Sequence, residues 1–316
     1  MSKSKPTVID LFCGCGGLSY GFIEAGYEVA LGIDHWQDAI KTFEHNHKGS
    51  KGLVADLFNE TPKEISKKTG IKKADIIIGG PPCQGFSIAG KRIVDDERNK
   101  LYKSFVSFVE FEKLGYNVVY KVLLASEFGV PQNRRRAFFI GTKGKEIFKF
   151  PEIKEPEFVS SSDAISDLPE KSIAEGAKYP LKAKSEFQEK IREGSKGLYN
   201  HEITNHSDQT IEIISMVPDG GNYKNLPEHL HKTRNVNIAW TRLNSKKPSF
   251  TIDTGHRHHF HYKFNRVPTV RESARIQSFP DSFIFLGSKT SQYKQVGNAV
   301  PPLLAEVLAK SLKKYL

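Results

Sequence analysis

The sequence predicts an α/β fold in which a mostly parallel sheet is joined to a smaller, irregular lobe. Short apolar runs alternate with helix-like stretches in the first part of the chain, and a regular pattern returns from about Pro268. Between these parts, the sequence after Gly141 becomes polar and is interrupted by prolines. Strands that are separated by helices indicate a parallel sheet with helices on both faces. A length of 316 residues is enough for two lobes.

The predicted elements follow one another in the order that such a sheet needs. Strands are predicted at residues 7–12, 28–33, 74–78, 118–124 and 137–140, and helices at residues 18–25 and 302–315. Between residues 142 and 235 any long element is interrupted by Pro151, Pro156, Pro169 and Pro180. We therefore predict one domain at residues 1–141, a second at residues 142–266, and a segment at residues 267–316 that returns to the first.

Charge and cysteine content narrow the class of protein. The net charge of +11 and the pI of about 9.3 favour a polyanionic partner, nucleic acid first, although a basic enzyme without such a partner has the same balance. Cys13, Cys15 and Cys83 are too few for a disulfide framework and fit a reducing cytoplasm. No apolar run is long enough to span a bilayer, and no signal peptide is evident. We expect a cytoplasmic protein without a membrane partner.

A glycine-rich turn between the first strand and the first helix predicts a cofactor pocket. The run is Phe12-Cys13-Gly14-Cys15-Gly16-Gly17, in which the glycines allow a ligand to approach the backbone. Asp34 ends the next strand, where an acidic residue typically binds ribose hydroxyls, and Asp56 follows the apolar residues 53–55. Enzymes that bind NAD could share this pattern, but the spacing Gly-x-Gly-Gly favours an adenosyl group without phosphates, such as that of S-adenosylmethionine. Cys13 and Cys15 are predicted to pack the turn, because no second Cys/His pair stands nearby for a metal.

A second motif presents a cysteine at the end of a strand. The apolar residues 76–78 lead directly into Gly79-Gly80-Pro81-Pro82-Cys83-Gln84-Gly85-Phe86-Ser87, in which two prolines stiffen the chain. This position is the carboxyl end of a parallel sheet, where α/β enzymes place their chemistry. A thiol is a nucleophile only as a thiolate and needs positive charge nearby. A buried, inert cysteine is the alternative, which a Pro-Pro-Cys loop flanked by glycines disfavours.

Five ordered motifs together resemble the DNA cytosine-5 methyltransferases of bacterial restriction–modification systems. They are residues 10–18 (Asp-Leu-Phe-Cys-Gly-Cys-Gly-Gly-Leu), residues 79–87, the run Gln132-Asn133-Arg134-Arg135-Arg136, residues 269–281 (Thr-Val-Arg-Glu-Ser-Ala-Arg-Ile-Gln-Ser-Phe-Pro-Asp) and residues 295–301 (Gln-Val-Gly-Asn-Ala-Val-Pro). The resemblance implies a Rossmann-like fold that uses S-adenosylmethionine, with catalysis in residues 1–141 and target recognition in residues 142–266.

The resemblance also implies roles for individual residues. Cys83 attacks C6 of a cytosine that is flipped out of the duplex, and C5 then takes the methyl group. Arg134 and Arg136 stand beside the active site, where they lower the pKa of Cys83 and hold the target base or its phosphate. The residues implied at the cofactor are Phe12, Gly14, Gly16, Gly17, Asp34, Asp56, Pro81, Leu101, Asn298 and Ala299. Those implied at the DNA are Gln84, Ser87, Arg257 and Arg271.

The same resemblance suggests the biological setting. Such an enzyme acts as a monomer on double-stranded DNA and protects host DNA from a cognate restriction endonuclease, which is a functional rather than a physical partner. No metal is implied. A transfer-RNA cytosine methyltransferase of the same fold is an alternative reading.

One family motif is missing. The family carries Glu-Asn-Val at a strand end between the cysteine loop and the Gln-x-Arg-x-Arg run, and its glutamate assists protonation at N3 of the cytosine. Here residues 103–113 read as two fused helices, and Glu110 and Glu112 have a helix-like context that does not suit the role. We therefore predict a gap or an altered strand order in the sheet, and low or no activity of this chain alone. A methyltransferase-like protein that binds DNA or cofactor without turnover is the alternative.

The target-recognition region is predicted within residues 200–266. The run Met216-Val217-Pro218-Asp219-Gly220-Gly221-Asn222 has the residues of a loop that could enter a groove. Four histidines follow, with His256 and His258 on one face of a predicted strand and His259 and His261 on the other. A zinc site is one reading, and DNA contacts together with Arg257 and Lys263 are the favoured one.

Overall fold

The structure is a computed structural model that describes residues 4–80, 116–143, 146–231, 240–254 and 259–316. The chain forms two compact units. The first consists of Met1–Leu123, Ala137–Glu152 and Leu304–Leu316, and the second of Leu124–Arg136 and Ile153–Leu303. In this division the return to the first unit begins at Leu304, and residues 124–136 belong to the second unit. The domain boundaries at residues 141 and 267 remain predictions from the sequence.

A four-stranded parallel sheet forms the centre of the first unit. Its strands are β1 (Thr7–Leu11), β2 (Glu28–Asp34), β3 (Lys51–Val54) and β4 (Ile76–Gly79), in the order β3-β2-β1-β4. Between them lie α1 (Gly17–Glu24), α2 (Gln37–Asn46) and α3 (Pro62–Thr69). Leu11 is in register with Ile33 on one side and with Gly79 on the other, so the carboxyl ends of these strands share one edge. The predicted alternation of strands and helices is confirmed.

Local sequence explains where these helices begin and end. At α3, the Thr61 side chain accepts a hydrogen bond from the Glu64 N–H, and the Glu64 carboxylate accepts one from the Thr61 N–H. Pro62 occupies the first helical position, and Gly70 ends the helix with a φ of 78°. The terminal helix α9 (Pro302–Leu312) is tied to the first unit where Tyr27 Oη donates to the Ala309 carbonyl at 2.9 Å.

A second, two-stranded sheet stands apart from the first in the described part of the chain. It pairs β5 (Tyr116–Leu124) with β6 (Arg135–Lys143). One of its faces is exposed although it is apolar: Tyr120 is 73%, Val122 52% and Phe139 48% accessible. Within the described residues, β4 has a partner on one side only. The predicted gap between β4 and β5 falls on residues 81–115, which lie outside the described residues, and it remains a prediction from the sequence.

The second unit consists of short helices and one small sheet. Its helices are α4 (Ser161–Ile165), α5 (Glu186–Arg192), α6 (Asp208–Ser215), α7 (Val270–Ile276) and α8 (Lys289–Asn298), and its strands are β7 (Thr241–Arg242) and β8 (His259–Phe260). Five caps start these helices, each with a hydroxyl that accepts a backbone N–H: Ser160, Ser185, Ser207, Thr269 and Ser288.

Buried ion pairs tie α7 into the second unit. Arg275 donates to Asp281 at 2.6 and 2.9 Å and to Asp167 at 2.5 Å, and all three side chains are fully buried. Arg266 forms a two-pronged pair with Glu272, with both distances at 2.8 Å. Because Asp167 lies near α4, these pairs fix α7 among residues 153–303.

The described helices are short. None of them combines the length and the apolar character that crossing a bilayer requires.

Candidate functional site

The glycine-rich turn lies between β1 and α1 and is held by backbone hydrogen bonds. The Cys13 N–H donates to the Ile33 carbonyl at 2.9 Å, and the Gly16 N–H donates to the Cys13 carbonyl at 2.9 Å. Gly14 has a φ of 54° and open space where a Cβ would stand. Gly16 has a φ of 95°, and a Cβ there would lie 2.2 Å from the His47 ring. At Gly16 the close neighbour is therefore a side chain of the protein itself, whereas the sequence alone suggested a ligand.

His47, which follows α2, supports this turn, although no pattern in the sequence points to it. Its ring nitrogens lie 2.7 Å from the Phe43 carbonyl and 3.0 Å from the Gly16 carbonyl, and the ring stacks on Phe43. Burial lowers the pKa of His47, although the two carbonyls favour its charged form. The ring thus braces the turn from behind, thirty-one residues further along the chain.

Three of the predicted cofactor residues line one cavity of about 260 Å³ in the first unit. Its walls are Phe12, Asp34, His35, Ala55, Asp56, Leu57 and Phe58. Asp34 accepts the Gly14 N–H and the Trp36 N–H, each at 2.9 Å. Asp56 accepts the Phe58 N–H at 3.0 Å and the Asn59 side-chain amide at 2.7 Å. Both carboxylates are therefore held in place at the carboxyl edge of the sheet.

The chemistry of this cavity suits an adenosyl group. A carboxylate oxygen has two lone pairs, so Asp34 and Asp56 keep acceptor capacity for hydroxyl or amino donors. Phe12 and Phe58 provide aromatic surface beside them. Among the described residues no lysine or arginine lines the cavity, and its two carboxylates would repel the charge of a pyrophosphate. The residues present therefore fit S-adenosylmethionine better than a dinucleotide.

Buried acidic and thiol groups lie beneath the turn. Asp10 accepts a hydrogen bond from Ser19 Oγ at 2.6 Å, and its Oδ1 has no partner among the described residues. Burial raises the pKa of Asp10 to about 7. Cys13 and Cys15 are buried, and burial raises the pKa of each thiol, that of Cys15 to about 12. The prediction that these two cysteines pack the turn is confirmed.

Arg134 and Arg136 belong to the second unit and differ in their surroundings. The Arg134 side chain is buried, and it donates to the Ile252 carbonyl at 3.2 Å and to the Gly297 carbonyl at 2.6 Å. Arg136 is half-buried and donates to the Arg135 carbonyl at 2.9 Å. The two side chains predicted to hold substrate anions are thus not equivalent.

Two other sequence assignments are corrected by burial. Arg271, which the resemblance placed at the DNA, is fully buried and donates to the carbonyls of Tyr199, Pro280 and Phe283. His259 and His261 are buried as well, and His261 Nδ1 accepts the backbone N–H groups of Lys263 and Phe264 at 3.0 and 3.1 Å. These side chains support the second unit from within and are not available for DNA contacts. No group of metal-binding side chains occurs among the described residues.

The predicted recognition loop is packed against its own unit. Asp219 accepts the Ser245 N–H at 2.8 Å, and a Cβ on Gly220 would lie 2.3 Å from the Asn244 side chain. Lys263 is exposed. Asn298, at the end of α8, is also exposed, and Ala299 is half-buried; both belong to the second unit.

Several predicted site residues lie outside the described residues. They are Pro81, Cys83, Gln84, Ser87, Leu101, Arg257, His256, His258, Glu110 and Glu112. Their roles remain predictions from the sequence.

Comparison with known proteins places the chain in a family. The profile of the C-5 cytosine-specific DNA methylases matches residues 6–111 and 106–314. Type II methyltransferase M1.HphI of Haemophilus parahaemolyticus is 38% identical, with 98% of this chain and 87% of the relative covered. Type II methyltransferase M.DdeI of Desulfomicrobium norvegicum is 36% identical, with 98% and 88% covered.

Solved structures agree with this placement. A protein assigned as a DNA modification methyltransferase encoded within an E. coli prophage matches with a TM-score of 0.75 at 28% identity, over 98% of this chain and 99% of that one. The S. pombe Dnmt2 methyltransferase matches with a TM-score of 0.57 at 15% identity, over 98% and 99%, and shows the fold alone. This chain belongs to the C-5 cytosine-specific DNA methylases.

Proposed function

We propose that this chain transfers a methyl group from S-adenosylmethionine to C5 of cytosine in a specific sequence of duplex DNA. The observation that carries the proposal is the family match over nearly the whole chain, together with a cavity that unites Phe12, Asp34 and Asp56. As in the relatives named type II methyltransferases, the product would protect host DNA from a cognate restriction endonuclease.

The residues of the cavity would hold the methyl donor. Phe12 offers its ring to the adenine, and Asp34 and Asp56 offer carboxylate oxygens to hydroxyl and amino donors. When bound, S-adenosylmethionine supplies an electrophilic methyl group. The Gly14 and Trp36 N–H groups fix the Asp34 carboxylate before any ligand arrives, which lowers the entropic cost of binding.

Cys83 would carry the chemistry on the base. Its thiolate adds to C6 of the flipped cytosine, C5 becomes nucleophilic and takes the methyl group, and loss of the C5 proton with expulsion of the thiolate restores the aromatic ring. Arg136, half-buried, would provide positive charge for the thiolate and the base. These roles rest on the motif resemblance, because Cys83 lies outside the described residues.

The family match is divided into two pieces, and the position of the division is relevant to the catalytic rate of this chain. Its two pieces meet at residues 106–111, within the interval where Glu-Asn-Val is missing from the sequence. The relatives favour an enzyme over a binding protein, and the missing glutamate predicts a rate about a hundred- to ten-thousandfold below that of a complete member.

Methyl transfer with matched substrates tests the proposal. Labelled methyl groups are followed from S-adenosylmethionine into mixed-sequence duplex DNA and into transfer RNA, beside the variant Cys83→Ser. We expect slow incorporation into DNA that Cys83→Ser abolishes. Incorporation into transfer RNA instead of DNA would overturn the substrate assignment.

Covalent trapping separates an enzyme from a binding protein. DNA that contains 5-fluorocytosine traps the protein only when Cys83 attacks and the methyl group is transferred, because the fluorine cannot leave as a proton does. A trapped complex supports the enzyme. Tight DNA binding without any trapped complex, under conditions in which a complete relative is trapped, supports the binding protein.

A further inference from the structure

Arg134 is a buried cation whose donors face backbone carbonyls. The side chain is 1% exposed. One terminal nitrogen donates to the Ile252 carbonyl at 3.2 Å, and the other donates to the Gly297 carbonyl at 2.6 Å. Among the described residues the buried Nε has no hydrogen-bond partner, and no carboxylate forms an ion pair with the guanidinium. Both terminal nitrogens are therefore already engaged within the second unit.

Such a group is costly to bury. A cation that leaves water without a counter-ion loses more solvation than carbonyl dipoles return. Burial lowers the pKa of Arg134 well below the ordinary value, and the neighbouring Arg136 lowers it further. An apolar side chain would fill the same space at lower cost, so stability alone does not account for an arginine here.

The contacts of Arg134 join three separate backbone segments. Gln132 works beside it, since its Oε1 accepts the Ile252 N–H at 2.9 Å and its Nε2 donates to Gln277 Oε1 at 2.8 Å. Gln277 in turn donates to the Val296 carbonyl at 2.8 Å. We call Gln132, Arg134 and Gln277 the bracket. It links the segments at residues 132–134, 252–253 and 296–297.

The bracket leaves little freedom at Gly297. A Cβ on Gly297 would lie 2.1 Å from the Asp253 carbonyl oxygen, so these two backbones are in direct contact. Arg136 follows Arg134 by two residues and is the second residue of β6, so the segment at residues 132–134 leads directly into it. A shift of residues 132–134 would carry Arg136 with it.

We propose that Arg134 is a positioning residue, which holds these three segments together and thereby fixes Arg136, and that it does not itself contact DNA. The inference rests on the proposed role of Arg136 at the target base. Of the two arginines in the Gln-x-Arg-x-Arg run, Arg134 would hold the backbone segments in place and Arg136 would face the substrate.

Three variants test this division. Arg134→Met removes both donors and keeps most of the volume, Gln277→Ala removes the opposite end of the bracket, and Arg135→Met is the matched control at an exposed neighbour. The rate of amide hydrogen exchange reports directly on whether the bracket holds these segments, and its measurement requires neither catalytic turnover nor DNA. We expect Arg134→Met to speed amide exchange in residues 252–254 and 296–299 at least tenfold, while Arg135→Met leaves it unchanged. Unchanged exchange in Arg134→Met would overturn the proposal.

The salt dependence of DNA binding tests whether Arg134 contacts a phosphate. Each phosphate contact contributes about one unit to the slope of log Kd against log salt concentration. We expect Arg134→Met to leave the slope of the unsubstituted chain unchanged. A slope that falls by about one would show a direct phosphate contact and overturn the proposal.

Turnover tests the coupling to the reaction. A displacement of about 1 Å at a reacting group costs on the order of a hundredfold in rate. We expect Arg134→Met to lower kcat ten- to a hundredfold, with KM for DNA changed less than threefold, in protein shown to be fully folded. Gln277→Ala should add little in the Arg134→Met background, because both release the same segments. The proposal would be overturned if Arg134→Met left kcat unchanged. It would also be overturned if the decreases in kcat caused by Arg134→Met and Gln277→Ala multiplied in full in the double variant. If the unsubstituted chain shows no turnover, the proposed function fails, and exchange still decides the role of Arg134.

Discussion

Gly16 is constrained both by its backbone and by its neighbour. Its φ of 95° is strained for any residue with a Cβ, and the His47 ring occupies the space that a Cβ would need. The sequence predicted a glycine-rich turn correctly, but it could not show which glycine serves packing and which serves a ligand. That distinction depends on His47, whose approach is set by the fold and not by local spacing.

Alanine substitutions at two glycines separate these constraints. Gly16→Ala combines left-handed strain with overpacking and should lower the free energy of unfolding by about 3 kcal/mol. Gly14→Ala, at a φ of 54° with open space around it, carries the strain alone and should cost about 1 kcal/mol. Urea denaturation of both variants checks the order. Equal losses would show that His47 yields without cost.

His261 should give the second unit an acid-sensitive term. Its Nδ1 accepts two backbone N–H groups, and burial lowers its pKa to about 4. Glu272 raises the pKa, whereas Arg266, Arg242 and His201 lower it. The unfolded ring binds a proton near pH 6.5, so stability is fully present above that pH and is lost as the pH falls towards 4.

A difference measurement isolates this term from other groups. Asp10 works in the opposite direction in the same window, because its raised pKa makes its contribution decline as the pH rises from about 4 to 7. His261→Asn keeps a side-chain acceptor and does not titrate. The stability of the unsubstituted chain relative to His261→Asn should fall by about 3 kcal/mol between pH 7 and pH 4. A difference that is independent of pH would contradict the assignment.

At the scale of elements, the regular part of the fold was predictable and the irregular part was not. The strands β1, β2 and β4 are mostly apolar runs bounded by turns, which the sequence pattern identifies. The helices α4, α5 and α6 were missed, because proline-interrupted, charged sequence hides five- to eight-residue helices. Their serine caps at residues 160, 185 and 207 were readable signals. The residues that these helices pack against, and long-range pairs such as that of the buried Asp167 with Arg275, could not be predicted from the sequence.

The apolar face of β5 and β6 is exposed, and within the described residues no element covers it. Val118, Tyr120 and Val122 alternate along β5, and an apolar face of this kind is normally covered in an α/β fold. The alignment with the Haemophilus relative spans 341 positions, whereas 98% of 316 residues is about 310, so about thirty positions of the relative have no counterpart here.

Inserting the relative's segment at residues 106–111 should therefore complete the sheet. We expect the completed chain to unfold at a temperature at least 5 °C higher, because buried apolar area contributes about 25 cal/mol per Å². An insert of the same length made of glycine and serine is the matched control and should not raise the unfolding temperature. An equal effect of both inserts would show that the exposed face needs no strand.

At the scale of the whole molecule, burial shows which residues of the motifs are interior, and the motifs alone could not show this. The five motifs identified the family, and Phe12, Asp34 and Asp56, which they implied at the cofactor, line one cavity. They did not show that Arg271 and His261 are interior, because a motif records residue types and not which side of the chain faces water. That α7 belongs to the second unit was likewise hidden, since its placement depends on long-range pairs such as Arg275 with Asp167.

Bisulfite sequencing of DNA from cells that express the chain tests the central claim most directly. Four samples are compared: the unsubstituted chain, the chain completed at residues 106–111, the completed chain with Cys83→Ser, and cells without the protein. We expect methylated cytosines within one short sequence context. The methylated fraction should be high for the completed chain, low for the unsubstituted chain, and at background for the completed chain with Cys83→Ser. Methylation that persists in Cys83→Ser, or its absence from a folded completed chain, would contradict the account.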